Sequence, residues 1–397
     1  MKNKDLYIKK AIFCLIVLYI MVPSCKEEPV GQTPLDGMAP GMVTNVNVEN
    51  TPGGAKLTYE LPDDEDLLYV KAVYQLNDDE PSESKASIYS NTLEIEGFGD
   101  TTKREILVYA VDRSQNESEP VAVEVSPQEP PIVTIGKTLT MAQDFGGVKV
   151  TWENPTEAEI AIVILTEDNN MEYAVTERFY SSIVEGKGSV IGMDTISYNW
   201  QAYVQDKWEN TSEPLYDTIT PLYEVEFDNS LFEAIDLPGD VSAFSGWGKE
   251  KMWNDVWAID EGFSSPGGTG VWPQSVTVDL GTLGKISRFR LYQRMGSYTW
   301  AEGNPRYFQI YGCPELDASG DWGSWTLLMD CESIKPSGEP IGTNTDEDIE
   351  VATNGEDFYN DASNPAVRYI RILVTQTWAG GDNFQITEFK IYGDNRF

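Results

Sequence analysis

A ten-residue segment of this chain returns about 90 residues later with six of its ten residues identical. Gly53-Gly54-Ala55-Lys56-Leu57-Thr58-Tyr59-Glu60-Leu61-Pro62 matches Gly146-Gly147-Val148-Lys149-Val150-Thr151-Trp152-Glu153-Asn154-Pro155. A second pair keeps nearly the same offset: Asp112-Arg113, Asn116 and Ser118-Glu119-Pro120 against Asp206-Lys207, Asn210 and Ser212-Glu213-Pro214. A period of that size is one small domain repeated in tandem. Within each copy apolar residues alternate with polar ones, as in Ala55, Leu57 and Tyr59 or Val148, Val150 and Trp152. A period of two is that of a half-buried strand, and no helical period competes with it. The expected units are 43–127 and 130–221, joined by the proline-rich stretch 126–131. Acidic loops at 63–66 and 168–170 lack the glycine and terminal Glu of an EF-hand and read as solvated turns.

From about residue 230 the texture changes. Trp247, Trp253, Trp257, Trp272, Trp300, Trp322, Trp325 and Trp378 fall in this part. Short strand-like runs at 275–280, 286–293, 306–311, 325–329, 367–374 and 385–392 are separated by Gly and Pro. They predict a third β-sandwich, or jelly roll, over 230–397, and an all-β chain. Trp253, Trp257, Trp272 and Trp325 lie in or beside these runs and are expected in its core.

Composition narrows the chemistry. The 397 residues contain no histidine, and 65 Asp+Glu face 28 Lys+Arg for a net charge of -37. Imidazole bases, imidazole metal sites and Ser-His-Asp systems are excluded, and the surface repels nucleic acid. With so many acids, no pair is marked as a glycosidase pair, and the repeats leave little chain for a catalytic domain. The chain reads as a non-enzyme.

Residues 1–24 read as an export signal. Lys2, Lys4, Lys9 and Lys10 precede an apolar run at 11–22, too short to span a bilayer. Val22-Pro23-Ser24-Cys25 resembles a bacterial lipobox, which implies lipidation at Cys25. Lys26-Glu27-Glu28 resembles the surface-export signal of Bacteroidota lipoproteins. Residues 25–42, rich in Pro and Gly, form the expected lipidated tether.

The repeats resemble fibronectin type III modules: a Gly-Gly turn, a strand ending in an aromatic residue, then a Pro-containing loop. In that resemblance Tyr109 and Tyr203 stand as core or corner tyrosines. The last part resembles the discoidin, or coagulation-factor type C, family of galactose-binding-like sandwiches. The residues that carry the resemblance are Ala258-Ile259-Asp260-Glu261-Gly262, Trp272 with 276–281, 286–291, Phe308-Gln309-Ile310-Tyr311-Gly312, 367–372 and Ile386 through Gly393. It implies a carbohydrate-binding module. A structural Ca²⁺ is common in such modules, and Asp260 and Glu388 fall on its positions; the alternative is that Asp260 caps a turn and Glu388 faces solvent. The whole layout resembles Bacteroidota surface lipoproteins found with glycan-uptake systems.

Sugar recognition needs an aromatic platform and planar polar groups beside it. One loop offers Arg294, Tyr298, Trp300, Glu302 and Asn304. A second offers Trp378, Asp382 and Asn383, and a third sets Trp247 between glycines. By the discoidin resemblance the three converge at one end of the sandwich, where Trp247, Trp300 and Trp378 either contact a ligand or close the sandwich end as core plugs. Cys313 and Cys331 follow two hairpin-like runs, so an exported chain is expected to bridge them, with two buried thiols as the alternative. The expected function is glycan binding by the C-terminal domain of an outer-membrane, lipid-anchored surface protein. Transporter components of a glycan-uptake system are further expected partners. The alternative is a structural or adhesive protein whose terminal domain binds another protein.

Overall fold

The computed structural model describes residues 37–76, 81–168 and 170–397. The signal segment, Cys25 and most of the tether lie outside the described residues. The described chain is built mainly of antiparallel strands and divides into two compact units: one ends at Thr134 and includes 207–211, and the other holds 135–206 and 212–397.

The first unit contains β1 (Thr44–Thr51), β2 (Gly54–Glu60), β3 (Leu67–Tyr74), β4 (Ser82–Ser87), β5 (Thr92–Ile95), β6 (Arg104–Asp112) and β7 (Val121–Val125). Its sheets run β1-β2-β5 and β4-β3-β6-β7. The alternation on β2 turns Ala55, Leu57 and Tyr59 inward, where they share one core with Val70, Ala72, Ile106 and Val108. Each such side chain contributes roughly 1.5–3 kcal/mol on full burial. The short helix α1 (Pro131–Gly136) follows.

The second sandwich repeats the plan with β8 (Thr140–Asp144), β9 (Gly147–Glu153), β10 (Ile160–Glu167), β11 (Tyr173–Ser181), β12 (Glu185–Val190), β13 (Tyr198–Gln205) and β14 (Leu215–Ile219). The sheets are β8-β9-β12 and β11-β10-β13-β14. The structure explains why the repeated residues repeat. Gly53 and Gly146 have φ of 65° and 62°, the left-handed region. A Cβ on Gly54 would strike the Ile95 carbonyl oxygen, and one on Gly147 the Val190 carbonyl oxygen. Ser118 Oγ accepts from the Ala110 N–H at 3.0 Å and donates to the Glu119 carbonyl at 2.9 Å. Ser212 Oγ does the same with Val204 and Glu213, at 3.0 and 3.1 Å. Tyr109 and Tyr203 are not core residues. Both are only half-buried, Tyr109 under the Lys71 ammonium and Tyr203 against Ala161, Val163 and Leu165.

The C-terminal sandwich contains β15 (Val225–Glu226), β16 (Glu233–Ile235), β17 (Phe263–Ser264), β18 (Gln274–Tyr292), β19 (Pro305–Cys313), β20 (Thr326–Glu332), β21 (Glu356–Tyr359), β22 (Val367–Thr377), β23 (Gln385–Ile386) and β24 (Glu388–Asp394). Two of the expected strands are halves of β18. Its first half pairs with β16 and β22, and its second with β21 and β24. The register shifts between Asp279 and Gly284, where the strand passes from one layer to the other. Val276, Val278, Phe289, Leu291, Phe308, Ile372 and Phe389 fill the space between the layers.

One element was not foreseen and two expectations fail here. Residues 346–354 form a helix, α2 (Asp346–Asn354), opened by a capping box between Thr345 and Asp348. Trp253 and Trp325 are buried and Trp272 packs partly against the core, but Trp257 is 40% exposed. Cys313 and Cys331 are both free and buried. The register sets Phe308 opposite Cys331, and Cys313 lies five positions further along β19. At about 3.3 Å per residue that is roughly 16 Å, while a bridge needs Cα atoms within about 7 Å. The two thiols also sit in different apolar clusters, Cys331 with Phe308 and Cys313 with Leu237 and Trp325.

Candidate functional site

Strand ends position the three aromatic loops. β19 opens at Pro305 opposite Thr377, the last residue of β22, so the loop 293–304 that leads into β19 and the loop 378–384 that leaves β22 lie at the same end of the sandwich. Main-chain bonds tie them together: Trp378 N–H to the Asn304 carbonyl at 3.0 Å, Ala379 N–H to Glu302 at 3.0 Å, and Gln385 N–H to Gly303 at 2.8 Å. The Trp247 segment is fastened to β17 through Phe244 N–H, which donates to the Ser264 carbonyl at 2.7 Å.

Arg294 joins two of these loops. Its guanidinium lies 3.7 Å from the Tyr298 ring centroid and 4.7 Å from that of Trp247. Nε donates to the Ile259 carbonyl at 2.6 Å, Nη1 to Gln385 Oε1 at 3.3 Å and Nη2 to Asp260 Oδ1 at 3.3 Å. Only 8% exposed and bonded through all three nitrogens, Arg294 is not a free fork for sugar hydroxyls. It fixes the two rings in place.

Two expected ligand residues belong to the interior. Trp300 is 0% exposed, its indole N–H donates to the Asp348 carbonyl at 2.9 Å, and its ring meets Trp378 edge-on at 5.4 Å. Asn304 is also buried. Its Oδ1 accepts from Arg294 N–H at 2.9 Å, and its Nδ2 donates to the Tyr298 carbonyl at 2.7 Å. Both residues shape the loop and cannot touch a ligand.

What faces outward is a shallow platform. Trp247, Tyr298 and Trp378 are half-buried, Glu302 is exposed, and Asp382 and Asn383 are partly exposed. Trp378 is braced by its N–H to Ser333 Oγ at 3.3 Å and by the Arg306 guanidinium 4.8 Å from its ring. Asp382 accepts from the Gly270 N–H at 3.3 Å, and main-chain N–H groups of Gly268 and Gly270 hold its carboxyl below the usual range. Sequence reasoning missed the groups beneath. Gln293 bonds Trp300 N–H through Oε1 at 2.9 Å and Glu356 Oε2 through Nε2 at 2.9 Å. Ser333 Oγ reaches the same Glu356 oxygen at 2.8 Å, and burial pushes the Glu356 carboxyl up to about 7. Gln293 carried a signal: it is the last polar residue before the Arg294 loop.

The two expected metal ligands differ. Glu388 is fully buried, its Oε2 accepts from Asn254 N–H at 3.1 Å, and its Oε1 has no partner. Burial raises its carboxyl to about 8. An orphaned buried oxygen of this kind fits a hard cation. Asp260 is exposed and engaged with Arg294. Among the described residues no three acidic or cysteine side chains gather at metal-holding spacing, so further ligands would be main-chain carbonyls.

Family models match three stretches, each described as a domain of unknown function: DUF4959 over 40–127, DUF5126 over 128–230 and DUF5000 over 244–393. No curated protein matches the chain. Among solved structures it is similar to the SusE-like protein BT2857, with 29% identity, 67% of this chain and 99% of that one covered, and a TM-score of 0.44. It is also similar to the C-terminal domain of a chitobiase from Bacteroides fragilis (16% identity, 43% and 97% covered, TM-score 0.30). A third similarity is to a CBM32-2 of GH31 bound to GalNAc (14% identity, 40% and 95% covered, TM-score 0.28).

Proposed function

We propose that this chain is a non-catalytic, lipid-anchored cell-surface protein whose C-terminal sandwich binds neutral glycans as part of a glycan-uptake system. The observation that carries the reading is the platform itself. Three half-buried aromatic rings, held by Arg294, Ser333 and Arg306, stand beside exposed carboxylate and amide groups at one end of a rigid sandwich. An aromatic ring takes the C–H face of a pyranose, while Glu302, Asp382 and Asn383 accept or donate to its hydroxyls. The net charge of -37 disfavours anionic polysaccharides. A Ca²⁺ ion held by Glu388 and neighbouring main-chain carbonyls would neutralise the buried carboxylate and stiffen the fold. The anchor rests on Cys25, and no helix among the described residues is long and apolar enough to cross a membrane.

The test is glycan binding by the full-length protein beside Trp378→Ala and Tyr298→Ala. Loss of binding with an unchanged melting temperature supports the platform, and unchanged binding overturns it. A second reading puts protein binding on the second sandwich and not on the terminal domain, where the sequence alone sets that alternative: Tyr173, Val175 and Tyr216 are exposed on β11 and β14. Substituting those residues would abolish cell-surface cross-links only under that reading.

A further inference from the structure

Trp257 belongs to none of the loops of the platform. It stands on the segment between the 3₁₀ turn at Lys249–Trp253 and β17, and it is 40% exposed. The segment is fixed: Asp255 Oδ2 accepts from Asn229 Nδ2 at 2.9 Å, and its Oδ1 pairs with Lys390 Nζ at 3.2 Å. The indole rests edge-to-face on Tyr292 at 4.9 Å, and the Lys390 ammonium is 5.5 Å from its centroid. It forms one wall of an open cleft of about 580 Å³ on the outer face of β18, floored by Arg290 and Tyr292 and closed opposite by the last turn of α2. That volume lies within the usual range for ligand pockets. The cleft depends on a specific backbone feature. Gly355, at φ 82°, ends α2 where a Cβ would lie 2.8 Å from Arg290 Cγ and 2.9 Å from Tyr292 Cε1.

The charges around the cleft select the ligand class. Arg290 is held by Asp357 through two bonds of 2.7 and 2.6 Å, and Arg288 is paired with both Asp357 and Glu224. Lys390 is paired with Glu226 at 2.6 Å as well as with Asp255. Each cation at the cleft is therefore paired with at least one carboxylate, Asp357 serving both arginines, so an anion finds no unpaired positive charge. What remains is one exposed indole, a thioether from Met295, the Asn354 amide, and the Thr353 hydroxyl, which donates to the Ile349 carbonyl at 2.7 Å and keeps its lone pairs, at a helix end whose last carbonyls have no partner within the helix.

We infer that this cleft is a second carbohydrate subsite, taking one or two neutral pyranose units of a chain that also crosses the loop platform. The inference rests on the glycan-binding reading, and Met295, next to Arg294, links the two places. Trp257 supplies the stacking face, and Asn354, Thr353 and the α2 carbonyls supply the polar rim.

The test uses full-length protein labelled at its indole N–H groups, with the Trp257 resonance assigned by its loss in Trp257→Phe. The probes are gluco-, manno- and galacto-hexasaccharides and N-acetylgalactosamine. The expected result is a saturable shift of the Trp257 signal, with at least tenfold weaker hexasaccharide binding in Trp257→Ala and Asn354→Ala at unchanged melting temperature. If the Trp378 signal moves while Trp257 stays silent, the cleft is overturned and the platform stands. If Trp257 alone responds, the cleft stands and the platform reading fails. Silence of both with every probe overturns both.

Discussion

Trp300 and Trp378 look alike in the sequence, each a tryptophan in a glycine-bearing loop, yet one is core and the other half-exposed. Trp300→Ala is therefore expected to cost about 3–5 kcal/mol of stability, as for a buried large-to-small change, read as a lower urea midpoint. Trp378→Ala is expected to leave the midpoint nearly unchanged. A second residue-scale prediction concerns Glu356. Its carboxyl titrates near 4.5 when unfolded and near 7 when folded, so between those values the native state keeps a proton that the unfolded chain has lost. The contribution of this group to stability is full below about 4.5 and falls away as pH rises through about 7. Urea midpoints measured at pH 5 and 7.5 should show that fall, and Glu356→Gln should flatten it. Neither residue's role was legible in the sequence, because burial in a loop depends on what α2 and β21 bring over it from residues 346–359.

Strands were the most legible elements. The alternation at 55–59 and 148–152 set the faces of β2 and β9 correctly, since a period of two leaves a half-buried strand one choice. Less was visible where a segment breaks its own period. β18 runs through Gly281 and Gly284 as one strand shared by two layers, and α2 was missed although Thr345 and Asp348 carry a capping signal. The cysteines failed for a related reason: spacing suggests a hairpin, but register decides distance. Both thiols should alkylate in denaturant without reductant, and neither should react in the native state, where burial raises both. Mass spectrometry of the two samples checks this, and a mass two hydrogens short would contradict the free pair.

At the scale of the whole molecule, two repeated sandwiches and a Trp-rich end are what the sequence patterns announced, and the architecture agrees with them. The discoidin resemblance carried further than composition did: it implied that the three loops meet, and main-chain bonds join 293–304 to 378–385. It did not foresee that Arg294 is consumed in holding Trp247 and Tyr298. If Glu388 holds Ca²⁺, chelation should lower the melting temperature of the wild type and leave Glu388→Gln unaffected. If Cys25 is the anchor, Cys25→Ala should move the protein from the membrane fraction to the soluble one. The most direct measurement is a glycan array probed with full-length protein, with and without Ca²⁺, beside Trp378→Ala. Retention of a neutral glycan by the wild type and its loss in the variant is the expected result. A well-folded wild type that binds no glycan, or a variant that binds as the wild type does, would contradict the platform.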